Sequence, residues 1–167
     1  MAMNINKYTE KAQEAVVAAQ QLADREGHPE MLPEHLLLVL LEQKEGIVPG
    51  IARKLNAEPA TLAAEVRAEL NRQPRAHGGS QVGLSARLRR VTDAAEQEAE
   101  RLKDEYVSTE HLFLAIASES GRSPAVQILQ RHGIGRDQVL QALASVRGSQ
   151  RVTSQNPEAT YEALAKY

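Results

Sequence analysis

An all-α fold is what this sequence predicts, and three observations predict it. Apolar residues recur close to every 3.6 positions, the β-branched and aromatic runs that mark strands are missing, and one helix-forming stretch is written twice. With one Phe, four Tyr and no Trp, the core has to be built from Leu, Ile, Val and Ala. The repeated stretch is Leu32-Pro33-Glu34-His35-Leu36-Leu37-Leu38, which returns 76 positions later as Ser108-Thr109-Glu110-His111-Leu112-Phe113-Leu114. The same register pairs Ala18, Ala19, Gln21, Ala23 and Arg25 with Ala94, Ala95, Gln97, Ala99 and Arg101. Beyond the motif, a shift of one residue aligns Ile51 with Ile128, Leu62 with Val139 and Val66 with Leu143. Each copy holds four helical segments, and a set that small leaves an apolar face uncovered. Two pseudo-symmetric four-helix repeats packed into one compact domain solve that problem.

Taken in order, residues 1–5 read as a disordered start. The first repeat covers 6–72. Asn6 is the expected N-cap of a helix that carries Tyr8, Ala12, Ala15, Val16, Ala19, Leu22 and Ala23 on one stripe and ends near Gly27. Pro33 suits the first position of the second helix, whose run 36–41 is too apolar for a surface. A third helix is expected over 47–55, and a fourth from Pro59 carries Leu62, Val66 and Leu70. Residues 73–84 have no periodicity and contain Pro74, Gly78 and Gly79, so they read as a flexible connector. The second repeat covers 85–147. Ser85 caps a helix with Leu88, Val91, Ala95, Ala99 and Leu102; Ser108 caps the next, around Leu112, Phe113 and Ile116. Ser123-Pro124 opens the seventh helix, and the eighth carries Val139, Leu140, Leu143 and Val146 up to Gly148. Residues 148–167 read as a linker, with a helix restarting at Asn156-Pro157-Glu158, which suggests a piece of something larger.

Composition narrows the chemistry. A chain of 167 residues can bury a self-sufficient core. It has no Cys, hence neither disulfides nor thiolate metal sites, and fits a reducing cytoplasm. A net charge of -2 lacks the basic excess that nucleic acid demands. The sequence shows neither a bilayer-length apolar run nor a signal peptide, so a membrane partner is not expected.

His35 and His111 occupy matching positions, but the places three and four residues on hold Leu38, Val39, Leu114 and Ala115, so no second metal ligand shares their face. Glu34 and Glu110 fall in the first turns of their helices, where the exposed amides favour a carboxylate by roughly 0.3–1 kcal/mol. Facing outward, the two would also form a pair of sites for cationic groups on a partner. No hydrolase spacing and no phosphate-binding G-x-x-x-x-G-K-[ST] loop occurs. The segments 33–41 and 109–117 are too apolar and too poor in Lys and Arg for DNA-reading helices. The stretch reads as a non-enzyme that needs no metal or cofactor of its own.

The duplicated Glu-His-Leu pattern, the opening Tyr8-Thr9-Glu10-Lys11-Ala12-Gln13-Glu14-Ala15 and the Gly27-His28 ahead of the second helix resemble the Clp N-terminal repeat domain. Leu70-Asn71-Arg72-Gln73-Pro74 and the tail from Arg147-Gly148 to Ala163-Leu164-Ala165-Lys166-Tyr167 are more similar to the ClpB disaggregase branch than to ClpA or ClpC. That resemblance implies a chaperone accessory domain, mobile on its linker above a homohexameric AAA+ ring whose modules hold ATP and magnesium. It implies unfolded or aggregated protein as the partner, with collaboration from the DnaK system. The family's chaperone-activity positions match Thr9, Asp104 and Glu110, expected to be exposed on the rim of an aliphatic groove between the copies. The ClpC type implies a different use, phosphoarginine or adaptor recognition by Glu34 with Glu110. A third implication is a structural lid over the ring.

Overall fold

The computed structural model describes residues 5–76, 81–148, 151–153 and 155. The start at 1–4, the middle of the connector at 77–80 and the helix expected from Asn156 lie outside the described residues. Within them the chain forms α1 (Glu10–Arg25), α2 (Pro33–Glu42), α3 (Ile47–Lys54), α4 (Pro59–Asn71), α5 (Ala86–Arg101), α6 (Thr109–Ala117), α7 (Pro124–Arg131) and α8 (Arg136–Arg147). Two-residue strands β1 (Glu30–Met31) and β2 (Gly83–Leu84) complete the set. The fold is the all-α double repeat that the duplication predicts.

The repeats interlock rather than stack. The central helices α2 and α6 pack on each other, α3 of the first copy packs on α6 and α8 of the second, and α7 packs on α2 and α4. Backbone pairing repeats the exchange. Met31, which leads into α2, pairs with Leu84 ahead of α5, while Val107, which leads into α6, bridges to Tyr8 ahead of α1. Even the turns correspond: Gly27 and Lys103 end α1 and α5 in left-handed conformations, with φ of 73° and 59°. Gly83 and Leu84 are therefore paired residues at the end of the connector, and Ala76 at its other side donates to the Gly27 carbonyl at 2.8 Å.

Leu36, Leu37, Leu38, Leu40, Leu112, Phe113, Leu114 and Ile116 are all at most 1% exposed. Two helices this apolar have to begin inside the protein, where their first amides find no water. The duplicated histidine answers this. His35 Nδ1 accepts the Leu32 amide and His111 Nδ1 accepts the Ser108 amide, each at 2.8 Å. Each imidazole thus performs the reach-back that Glu or Gln performs in a capping box.

Two expected caps are corrected. α1 begins at Glu10, and its cap is Thr9, whose hydroxyl accepts the Ala12 amide at 3.2 Å; Asn6 lies in a 3-10 turn before it. Ser108 sits at the cap position of α6, but its hydroxyl lies 2.9 Å from His111 Nδ1 instead of bonding the helix amides.

Because both copies line one continuous core, they are expected to unfold together. Phe113→Ala should cost about 3–5 kcal/mol and its counterpart Leu37→Ala about 2–5 kcal/mol in urea unfolding, each through a single transition. Two separated transitions would show that the repeats are independent folding units.

Candidate functional site

The sequence nominates Thr9, Glu34, Asp104 and Glu110, and the structure buries all four. Thr9 and Glu110 are 0% exposed, Glu34 1% and Asp104 8%. None faces outward, which corrects the expected rim and the expected outward pair.

Glu34 is held by the other copy. Arg87 of α5 meets both of its oxygens, at 2.7 and 3.1 Å, and the Ala125 amide at the start of α7 donates to it at 3.1 Å. Arg87 continues to Glu119, at 3.1 and 3.2 Å, and to the Ser123 hydroxyl at 3.0 Å. Burial works against the guanidinium, but the bonds to Glu34 and Glu119 outweigh it and push its pKa above the ordinary arginine value. A two-pronged arginine–carboxylate pair of this geometry is a strong contact, and it ties α2 to α5 and α7. A cationic group from a partner would have to displace it.

Glu110 has no such clamp. Its oxygens lack hydrogen-bond partners among the described residues, and Arg147 Nη1 stands 3.7 Å away. The same Arg147 binds Asp104, so Asp104 and Glu110 share one cation from the end of α8. Asp104 also accepts His111 Nε2–H and the Val152 amide, each at 2.7 Å. The histidine proton is on Nε2 because Nδ1 already accepts Ser108. Burial alone would raise the Asp104 carboxyl; the bonds from His111, Arg147 and Val152 win and hold it down at about 2. Thr9 borders this corner, its amide bonded to the Val107 carbonyl at 2.9 Å. Three of the four nominated residues therefore lie together, and Glu34 lies apart from them.

The position of Asp104 in the first copy is occupied by His28. His35 Nδ1 accepts a backbone amide, so its Nε2–H donates to His28 Nδ1 at 2.9 Å. The proton of the His28 ring is left on Nε2, which is buried without a partner among the described residues.

The open surface is elsewhere, and the sequence reasoning missed it. A cleft of about 430 Å³ lies between α5, the α6–α7 turn and the start of α7. Val91, Ala94, Ala115 and Pro124 form its apolar part, and Arg87, Arg90, Glu119 and Arg122 its charged part. Every lining residue belongs to the second copy, and a further open cleft of about 630 Å³, lined by Gln43, Pro49, Arg53, Pro59, Ala63 and Arg67, lies within the first. The available signal was the excess of arginines at 87, 90 and 122 around small residues.

Two interlocked repeats, each built on a Glu-His-Leu helix sealed by its own imidazole, define a duplicated all-α repeat domain. The model of the Clp repeat (R) N-terminal domain matches residues 7–132, and the chain belongs to that family. It is 42% identical to chaperone protein ClpB of Nitratidesulfovibrio vulgaris over 99% of this chain and 20% of the relative. It is 44% identical to chaperone protein ClpB of Mycobacterium tuberculosis over 95% of this chain and 19% of the relative. The chain thus spans about a fifth of the length of the curated relatives it matches. Among solved structures, the Hsp104 N-terminal domain from Candida albicans superposes with a TM-score of 0.80 at 21% identity, covering 91% of this chain and 99% of that one. A ClpV N-domain solved in complex with a VipB peptide gives a TM-score of 0.63 at 20% identity, covering 84% and 86%. Among the described residues no helix is long and apolar enough to cross a membrane.

Burial, reinforced by the neighbouring His28, holds His35 down at about 4, against about 6.5 in the unfolded chain. The unfolded state therefore takes up a proton that the folded state refuses. This contribution is complete above pH 6.5 and is lost as the pH falls toward 4. Unfolding free energy from urea titrations should be about 2 kcal/mol lower at pH 5 than at pH 7. Equal stability at the two pH values would mean that the pair accepts a proton while folded.

Proposed function

We propose that this chain is the substrate-engaging N-terminal domain of a ClpB-type disaggregase, and that it captures unfolded polypeptide in the cleft beside α5. The larger protein would supply the hexameric AAA+ ring with its ATP and magnesium, receive the captured segment, and work with the DnaK system. The observation that carries this reading is the composition of the cleft. Its apolar part suits a hydrophobic side chain of an unfolded segment. Arg90 and Arg122 are exposed and have no ion-pair partner among the described residues, so they favour acidic residues beside it. An open cleft of this kind supports low affinity and little sequence preference, which suits a substrate that must be released. The likeness to ClpB chaperones supports the same reading.

Degron recognition draws less support, because Glu34 already holds Arg87 and the Ala125 amide. The discriminating experiment is an amide chemical-shift titration with an unfolded polypeptide and, separately, with free phosphoarginine. Polypeptide should shift Val91, Ala94, Ala115 and Arg122. Shifts at Glu34 and Glu110 with phosphoarginine instead would favour the ClpC-type reading, and silence in both titrations would favour the lid.

Ala94→Trp fills the cleft from a half-buried position, and should weaken polypeptide binding by about tenfold, or 1.4 kcal/mol, with the melting temperature nearly unchanged. Undiminished affinity would remove the cleft from consideration.

A further inference from the structure

The two copies differ at a matched pair of positions that face each other across the end of α8. His28 of the first copy corresponds to Asp104, and Leu70, at the register that pairs Val66 with Leu143, corresponds to Arg147. Where the first copy is uncharged, the second has a buried ion pair. Arg147, 6% exposed, binds Asp104 and lies 3.7 Å from Glu110. Exchanging an apolar side chain for a buried arginine seldom adds stability, so the pair calls for another role.

That role is visible in what else Asp104 holds. Its Oδ1, besides meeting Arg147, accepts the Val152 amide at 2.7 Å. The Val152 carbonyl accepts the Glu105 amide at 2.7 Å, and the Val152 side chain is 0% exposed, packed in the core. Further along, the Gln155 carbonyl accepts the Glu10 amide at 2.7 Å, and the Gln155 side chain donates to the Asn6 carbonyl at 3.2 Å. Thr9 caps the same α1 turn. The chain leaving α8 is thus sewn to the 104–105 loop and to the start of α1.

We propose that Asp104 and Arg147 form a latch that docks the chain at Val152 and, with the Gln155 contacts, fixes the direction in which it leaves the domain. Arg147 and Val152 are positioning residues, as are the nominated Thr9, Asp104 and Glu110, which act on the exit path and make no substrate contact. This assignment rests on geometry alone for the docking; the absence of substrate contact rests on the cleft reading above.

Hydrogen exchange on the whole 167-residue chain tests the docking. The amides of Glu105 and Val152 should be protected, and Val152→Gly should raise exchange at Glu105 about 100-fold while α2 and α6 change less than about threefold. Asp104→Asn should raise exchange at Glu105 and Val152 and leave the affinity for unfolded polypeptide within about twofold. Free-peptide exchange at both amides in the unaltered chain would overturn the latch. So would unchanged protection in Val152→Gly, or a loss that spreads equally through α6. A polypeptide affinity that falls tenfold in Asp104→Asn with the exit amides still protected would make Asp104 a contact residue and overturn the positioning role. A chain that binds no polypeptide at all would defeat the cleft reading and leave the exchange test intact.

Discussion

Two helices that are apolar on every side must begin in the interior, and the imidazole that closes the first turn of each is the contact on which the architecture depends. His35 and His111 each turn Nδ1 onto the amide of the cap residue. That fixes the tautomer and leaves one outward-pointing Nε2–H per copy. Whatever receives that hydrogen is obliged to be buried as well, since both rings are 0% exposed. The first copy supplies a second histidine and the second an aspartate. That one substitution puts a carboxylate at the corner, and Arg147 and the Val152 amide join His111 as its donors.

The interlocking of the copies is what makes such buried polar groups tolerable. Arg87 reaches across the domain to Glu34, and the same carboxylate accepts an amide at the start of α7. Breaking either partner would strand a charge in the interior, which is far more costly than never having buried the pair. The ion pair therefore acts chiefly on register: it accepts only the arrangement in which α7 of one copy lies against α2 of the other. The exchanged backbone pairs, Met31 with Leu84 and Tyr8 with Val107, impose the same arrangement from the opposite direction.

Much of this was legible in the residues. The duplicated Glu-His-Leu motif, Pro at the starts of α2, α4 and α7, and the aliphatic run 36–41 point to the eight helices found, in that order, among the described residues. What periodicity cannot report is which helix of one copy meets which of the other, since an apolar stripe says that a face is covered and not by what. The same ignorance produced the error at Glu34 and Glu110. A carboxylate in a first helical turn is usually solvated, and the sequence gives no hint that Arg87, 53 positions away, is its partner. The departures between the copies, His28 to Asp104 and Leu70 to Arg147, mark the buried corner directly.

Departures from the repeat also account for where the cleft opens. Gln43 of the first copy corresponds to Glu119 of the second. Gln43 donates to the Lys11 carbonyl at 3.1 Å, drawing the α2–α3 turn onto α1. Glu119 has no proton to donate and takes Arg87 instead, by way of the side chain that also serves Glu34. The α6–α7 turn is thereby held at the distance of an arginine from the axis of α5, and the small residues Ala94 and Ala115 leave the intervening space unfilled. The cleft beside α5 and the docking of Val152 on Asp104 both accompany polar substitutions between the copies, Gln43 to Glu119 in the one case and His28 to Asp104 in the other.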